Sequence, residues 1–257
     1  MIGESEIAQF EEVGAVTIDT PFSKARLDRV SRVFDRMLPF EGPEDGKSAQ
    51  YRVGQRYFLE PELLDLIQDP FLEAVAKKTL GADAVHFFNA FIVTSYPQPG
   101  AIFSFSEHVD IKYSLSDLDA TPKQMLCSCL LWLSDVTEKR APLMYRPGSH
   151  RLIAEDVEKH GTYIQDPVPF RELPELPFAD PVPLLAKAGQ MTVCTTALVH
   201  GASINIDTLP RKVMFMVFKP AGYTIDANMK SIEVREQYYR ELRNHLREDR
   251  LGILEMS

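Results

Sequence analysis

Apolar residues in the first third of the chain recur at helical steps. Leu27, Val30, Phe34 and Met37 are three or four apart, so Ser23 to Leu38 is predicted to be a helix with one buried face. Pro61 opens a second, shorter helical pattern carrying Leu63, Leu64 and Ile67. Asp69-Pro70 reads as an N-cap and a first-turn proline, with Gly81 as the stop. Gly14 to Asp19 is a short strand-like run before them.

From Ala84 the pattern changes. Val85 to Tyr96, Met125 to Leu133, Met191 to Val199 and Lys212 to Phe218 are rich in Phe, Ile, Val, Thr, Leu and Met. Turn residues such as Pro97-Gln-Pro-Gly100 and Pro147-Gly148 separate them. Many short strands between turns predict a sandwich or barrel. Ala227 to Leu251 reads as a closing helix laced with opposite charges. The expectation is one domain over residues 1–257, mainly β with α. A helical and mixed part (1–83) precedes a cupin-like double-stranded β-helix, or jelly-roll, at about 84–220; a helix at about 227–251 closes it.

Composition narrows the class. At 45% hydrophobic and 25% charged, 257 residues suffice for a sizeable core. No run of 18 apolar residues marks a membrane span. Lys and Arg number 28 against 37 Asp and Glu, a net charge of −9 without a basic cluster, so neither nucleic acid nor an anionic membrane is expected as partner. The acidic start, Met-Ile-Gly-Glu-Ser-Glu, does not read as a signal peptide. Three cysteines cannot all pair and suit a reducing, cytoplasmic setting. Oligomeric state is not legible.

Chemistry concentrates at three places. His108-Val-Asp110 falls on an expected strand, where positions i and i+2 share a face and an imidazole and a carboxylate can converge on one metal ion. Taken alone, such a pair is more often a surface hydrogen bond. His200 ends an apolar run and precedes Gly201, which permits close backbone approach. Arg211 opens the next strand; if that strand pairs with the run ending at His200, its guanidinium returns beside the site, suited to bidentate capture of a carboxylate. Two histidines and a carboxylate form the facial triad of non-haem iron(II) oxygenases. Zinc or manganese on such a scaffold would instead serve an isomerase or lyase, and a metal-free binding module is the remaining class.

From about Phe88 to Pro220 the chain resembles the phytanoyl-CoA dioxygenase family of iron- and 2-oxoglutarate-dependent oxygenases. The resemblance is carried by His108-x-Asp110, Leu131-Trp-Leu-Ser-Asp-Val-Thr137, Pro142-Leu, Arg146-Pro-Gly-Ser-His-Arg151, Ala188-Gly-Gln, His200-Gly-Ala-x-x-Asn205 and Pro210-Arg211, in that order. It implies iron(II) held by His108, Asp110 and His200, and 2-oxoglutarate as cosubstrate with its distal carboxylate on Arg211. It also implies O2 as oxidant, and hydroxylation of an unactivated C–H bond of a small molecule with release of succinate and CO2. Phe105 and Asn205 match positions at the cosubstrate pocket; core packing and a turn role are their structural readings. Relatives with Ala or Gly at the carboxylate position act as halogenases, so Asp110 favours hydroxylation or another oxidation.

The chain departs from the family pattern in places. Arg140-Ala141 stands where Asn-Gly usually precedes Pro-Leu, and Gly189-Gln190 where Gly-Asp is common. Val109 stands where polar residues are common, and Ala202 replaces a hydroxyl residue that helps hold 2-oxoglutarate. Ser203, Thr192 and Thr195 are substitutes for that hydroxyl. His150 and Cys127-x-Cys129 are ligands by residue type, but a conformational turn and buried small hydrophobes are the better readings. Trp132 reads as core or pocket wall, and the polar stretch Tyr113 to Lys123 as a loop near the site mouth.

Overall fold

Caps, prolines and glycines set several of the helix ends. In the computed structural model, which describes residues 2–39, 51–56, 58–161, 167–225 and 229–255, α1 (Glu4–Val13) leads into strand β1 (Ala15–Asp19). α2 (Lys24–Met37) is capped by Ser23, whose side chain accepts from the Arg26 N–H. α3 (Pro61–Ile67) starts on its proline. α4 (Pro70–Leu80) is capped by Asp69 at 2.9 Å from the Phe71 N–H and ends at Gly81. These are the boundaries that the caps and breakers predict.

Two antiparallel sheets form the centre. The larger has the order β1-β9-β5-β11-β3-β2, with β2 (Tyr51–Arg56), β3 (Val85–Ser95), β5 (Cys127–Trp132), β9 (Gln190–Thr195) and β11 (Arg211–Pro220). The smaller has the order β7-β4-β10-β6-β8, with β4 (His108–Val109), β6 (Leu143–Tyr145), β7 (Val168–Pro169), β8 (Val182–Leu184) and β10 (His200–Ala202). The fold is mainly β with helices, a jelly-roll core of two facing sheets. β1 and β2 join the larger sheet at its two edges, so the part before residue 84 contributes strands to the core as well as helices.

Alternation sorts the side chains of the larger sheet. Val16, Ile92, Cys127, Cys129, Met214 and Met216 pack with α2, α3 and α4 in one cluster. Val93, Leu130, Trp132, Cys194 and Val213 face the other way, against Leu143 and Leu184 of the smaller sheet. Both faces are covered, which is why these strands read as nearly continuous apolar runs. Each fully buried Leu, Phe or Met contributes about 1.5–3 kcal/mol.

Three expectations change. The run Met191 to Val199 is not one strand: β9 stops at Thr195, whose hydroxyl accepts from the Ala197 N–H at 3.2 Å, and the chain turns so that His200 begins β10 in the other sheet. β10 and β11 therefore lie in opposite sheets and do not pair. The predicted closing helix ends early. α7 (Met229–Leu242) gives way to a short 3-10 turn at Glu248–Ile253, because Gln68 captures the Arg247 N–H at 2.6 Å and Leu242, Ile253 and Leu254 fold back into the core. The polar stretch after Tyr113 contains a short helix, α5 (Leu115–Asp119), capped by Ser114.

Candidate metal centre and cosubstrate pocket

β10 lies between β4 and β6, and its register sets His200 directly opposite His108. Val109 points the opposite way, into a buried cluster with Ile153, Val157 and Val199, as alternation requires when His108 and Asp110 share the other face. The two imidazole centroids are 4.5 Å apart. Asp110 spans them: Oδ1 is 3.3 Å from His108 Nε2 and Oδ2 is 3.7 Å from His200 Nε2. One ligand atom from each of the three lies within 4.8 Å of the others, an arrangement that could hold a metal ion. Ligand atoms about 2.1 Å from a metal and at right angles to one another sit roughly 3 Å apart, so the donor set fits one ion with little adjustment. His200 Nδ1 is 2.8 Å from the Leu198 carbonyl, to which it donates; that fixes the tautomer with the Nε2 lone pair free for a metal. The side chains of His108 and Asp110 are 37% and 40% exposed, so the centre is open on one side.

Gly201 is needed by this pairing. A Cβ built there would meet the Ser106 carbonyl oxygen at 2.0 Å, because the backbone before His108 presses onto β10. The preceding residue, Glu107, makes a two-point ion pair with Arg146 at 2.8 and 3.0 Å, and the guanidinium lies 4.6 Å from the Phe170 ring. This pair ties β4 to the chain just after β6, across β10. Neither Gly201's clash partner nor the Glu107–Arg146 pair is legible in the sequence, since both depend on strand order.

Arg211 is 3% exposed and begins β11, opposite Ser95 at the end of β3. Nη2 donates to Ser95 Oγ at 2.6 Å, the guanidinium lies 5.7 Å from the Trp132 ring, and Nε is buried without a partner. No carboxylate pairs with Arg211 among the described residues, and burial lowers its pKa to about 10. A buried cation with a spare donor and no counter-charge is a receptor for an anion.

The substitutes considered for the missing hydroxyl are engaged elsewhere. Ser203 Oγ donates to the Pro142 carbonyl at 2.7 Å, Thr192 Oγ1 takes the Trp132 indole N–H at 2.9 Å, and Thr195 caps the β9 turn. Ser95 holds Arg211 instead, a residue that sequence reasoning missed; the cross-strand register of β3 and β11 is what reveals it. Asn205 is fully buried; its amide donates to the Ser95 and Leu209 carbonyls and accepts from the Asp207 N–H. It shapes the turn into β11 one step away from Arg211. Phe105 is half-buried and bridges to Ser203 beside the pairing of β4 and β10. His150 lies elsewhere: it is buried against the Glu11 carbonyl at 3.2 Å. Cys127, Cys129 and Cys194 are free and buried.

A protein-family model, phytanoyl-CoA dioxygenase (PhyH), matches residues 10–213. The chain belongs to this family. It is an enzyme of the iron- and 2-oxoglutarate-dependent dioxygenase type. An ectoine dioxygenase of Bordetella parapertussis is 24% identical, covering 92% of this chain and 82% of the relative. Among solved structures, the carbocyclase SnoK from nogalamycin biosynthesis superposes with a TM-score of 0.66 at 19% identity, over 91% of this chain and 90% of that one. HygX from Streptomyces hygroscopicus, crystallised with nickel, 2-oxoglutarate and hygromycin B, gives 0.61 at 16% identity, over 90% and 94%. Among the described residues no helix is long and apolar enough to cross a membrane.

Proposed function

We propose that the protein hydroxylates an unactivated C–H bond of a small molecule, using one iron(II) held by His108, Asp110 and His200, with Arg211 binding the distal carboxylate of 2-oxoglutarate. The observation that carries the reading is the convergence of the two imidazoles and the carboxylate across the β4–β10 pairing. The buried, uncompensated guanidinium of Arg211 supports the cosubstrate. Iron with 2-oxoglutarate supplies the oxidising power, drawn from O2 with loss of CO2 and formation of succinate. The chain's residues bind and orient. His200 is held as a donor to Leu198, Asp110 would supply the carboxylate ligand between the two imidazoles, and Ser95 and Trp132 fix the guanidinium plane for two-point capture. Phe105 forms part of the wall beside the triad, and Asn205 positions Ser95 through its backbone. The whole chain acts as one catalytic domain, and its three free cysteines fit a reducing, cytoplasmic compartment.

The test is a titration of 2-oxoglutarate into the anaerobic iron protein, followed by the metal-to-ligand charge-transfer band. Losing one partner of a buried charge pair costs about 2–5 kcal/mol. Arg211→Met therefore raises the midpoint roughly thirty-fold or more while iron content survives. Arg211→Lys recovers part of the loss. An unchanged midpoint in Arg211→Met, or full iron content in His108→Ala, rejects the assignment.

A further inference from the structure

A carboxylate held by Arg211 offers about four acceptor sites, and a guanidinium fork fills two of them. Three other donors toward the Arg211 end of the pocket are already spent. The Asn205 amide donates to the Ser95 and Leu209 carbonyls, Ser203 Oγ to the Pro142 carbonyl, and the Trp132 N–H to Thr192 Oγ1. Tyr145 differs from them. It is half-buried, and its hydroxyl makes no hydrogen bond among the described residues.

Register puts this hydroxyl on the pocket side. Tyr145 stands directly opposite His200 across the β6–β10 pairing, so the two side chains leave the smaller sheet on the same face with Cβ atoms about 5 Å apart. That is the face of the metal centre, since His108 is opposite His200 on its other flank. Ala202 shares the face two residues on and pairs with Leu143. It is therefore diagonal to Tyr145, a step that an aromatic side chain can span. Ala202 is exposed within the sheet, so the side chains around it leave room there. The same run of chain continues to Asn205, whose amide reaches Ser95 opposite Arg211. From above, the Tyr145 ring packs against the inner cluster that contains Trp132, and the Arg211 guanidinium lies 5.7 Å from that indole. Tyr145 and Arg211 thus border one apolar cluster, Tyr145 from the side of His200 and Arg211 from the end of β3.

We propose that the Tyr145 hydroxyl donates a hydrogen bond to the distal carboxylate of 2-oxoglutarate beside Arg211, as a second residue anchoring the cosubstrate. This deepens the dioxygenase reading and rests on it. Ala202 supplies no donor of its own and leaves space for one that reaches across from the neighbouring strand. The ring, packed on one side, holds the hydroxyl at a fixed depth, so little side-chain freedom is lost when the carboxylate arrives. A hydrogen bond to a charged acceptor is stronger than one between neutral groups, so the contribution is large enough to measure.

The test is Tyr145→Phe, which removes one oxygen and keeps the ring. Iron content and the urea midpoint are expected to stay native. In the anaerobic charge-transfer titration, 2-oxoglutarate should bind Tyr145→Phe about ten-fold or more weakly, the range for a hydrogen bond to a charged group. The control ligand is 2-oxobutyrate, which keeps the 2-oxo acid end and lacks the distal carboxylate. Its midpoint should stay within about two-fold of that in native protein. A purely structural role for Tyr145 would weaken both ligands alike or neither. A 2-oxoglutarate midpoint within about two-fold of native, or an equal loss for the two ligands, overturns the proposal. Loss of iron from Tyr145→Phe also overturns it, because Tyr145 would then support His200 rather than the cosubstrate. The native protein is read first. If 2-oxoglutarate produces no charge-transfer band there, the dioxygenase reading fails; a normal native titration with no change in Tyr145→Phe defeats only the role of Tyr145.

Discussion

Replacing Gly201 by alanine tests whether the metal centre depends on the close approach of β10 to the segment before His108. The added Cβ would lie 2.0 Å from the Ser106 carbonyl oxygen, 2.7 Å from its carbon and 3.3 Å from the Glu107 Cα. Real Cβ atoms essentially never come nearer than 3.0 Å, so the backbone must separate by the difference, 1.0 Å. The obstacle is backbone, and no side-chain rotation relieves it. Gly201 adjoins His200 and Glu107 adjoins His108, so the separation passes to both imidazoles. A metal site tolerates about 0.2 Å in its ligand distances. The displacement is five times that. Gly201→Ala is therefore expected to weaken iron(II) at least about a hundred-fold, the upper range for losses of supporting interactions. Folding stability should fall by only about 1–3 kcal/mol, the usual cost of overpacking. Iron affinity is read by competition with a chromophoric chelator, and stability by urea denaturation of the metal-free protein. Gly252→Ala is the control, since a Cβ there meets nothing within 4 Å. Iron binding in Gly201→Ala within a factor of about three of native protein would show that the centre does not rest on this contact.

Breaking the Glu107–Arg146 pair by Glu107→Gln should destabilise the protein by about 3–5 kcal/mol, because a guanidinium only 17% exposed loses its charge partner. The double variant Glu107→Met with Arg146→Met should recover most of that in urea denaturation; a double variant as unstable as the single one refutes the ion-pair account. His150 is held neutral chiefly by burial, which moves its pKa down to about 4 from 6.5. Above about pH 6.5 it is neutral in folded and unfolded states alike; as pH falls from there to about 4, the unfolded chain takes up a proton that the folded chain refuses. Stability should drop by about 3 kcal/mol across that window, and His150→Gln should flatten the drop; identical urea midpoints for the two proteins against pH would contradict it.

That His108 and Asp110 lie on one face was legible because strand geometry fixes which side chains share a side. His108 and Asp110 are two apart with Val109 between them, and the structure buries Val109 on the opposite side. Helix ends were legible for the same local reason: Ser23, Asp69 and Gly81 act on backbone groups a few residues away. The reach of α7 was misread, since its charge pattern continues to Arg250 while a contact from Gln68, far away in sequence, ends the helix sooner.

Sequence by itself therefore determined the class of fold, the side-chain types gathered at the site and the place of Arg211 at the start of a strand. Tertiary structure alone decided which strands meet. It put His200 between His108 and Tyr145, moved β10 and β11 into different sheets, and gave Arg211 the hydroxyl of Ser95. The reason is physical. Periodicity records whether a residue faces a core, which depends on its own strand or helix. The partner it finds there depends on sheet order and register, and those are set by the packing of the whole chain.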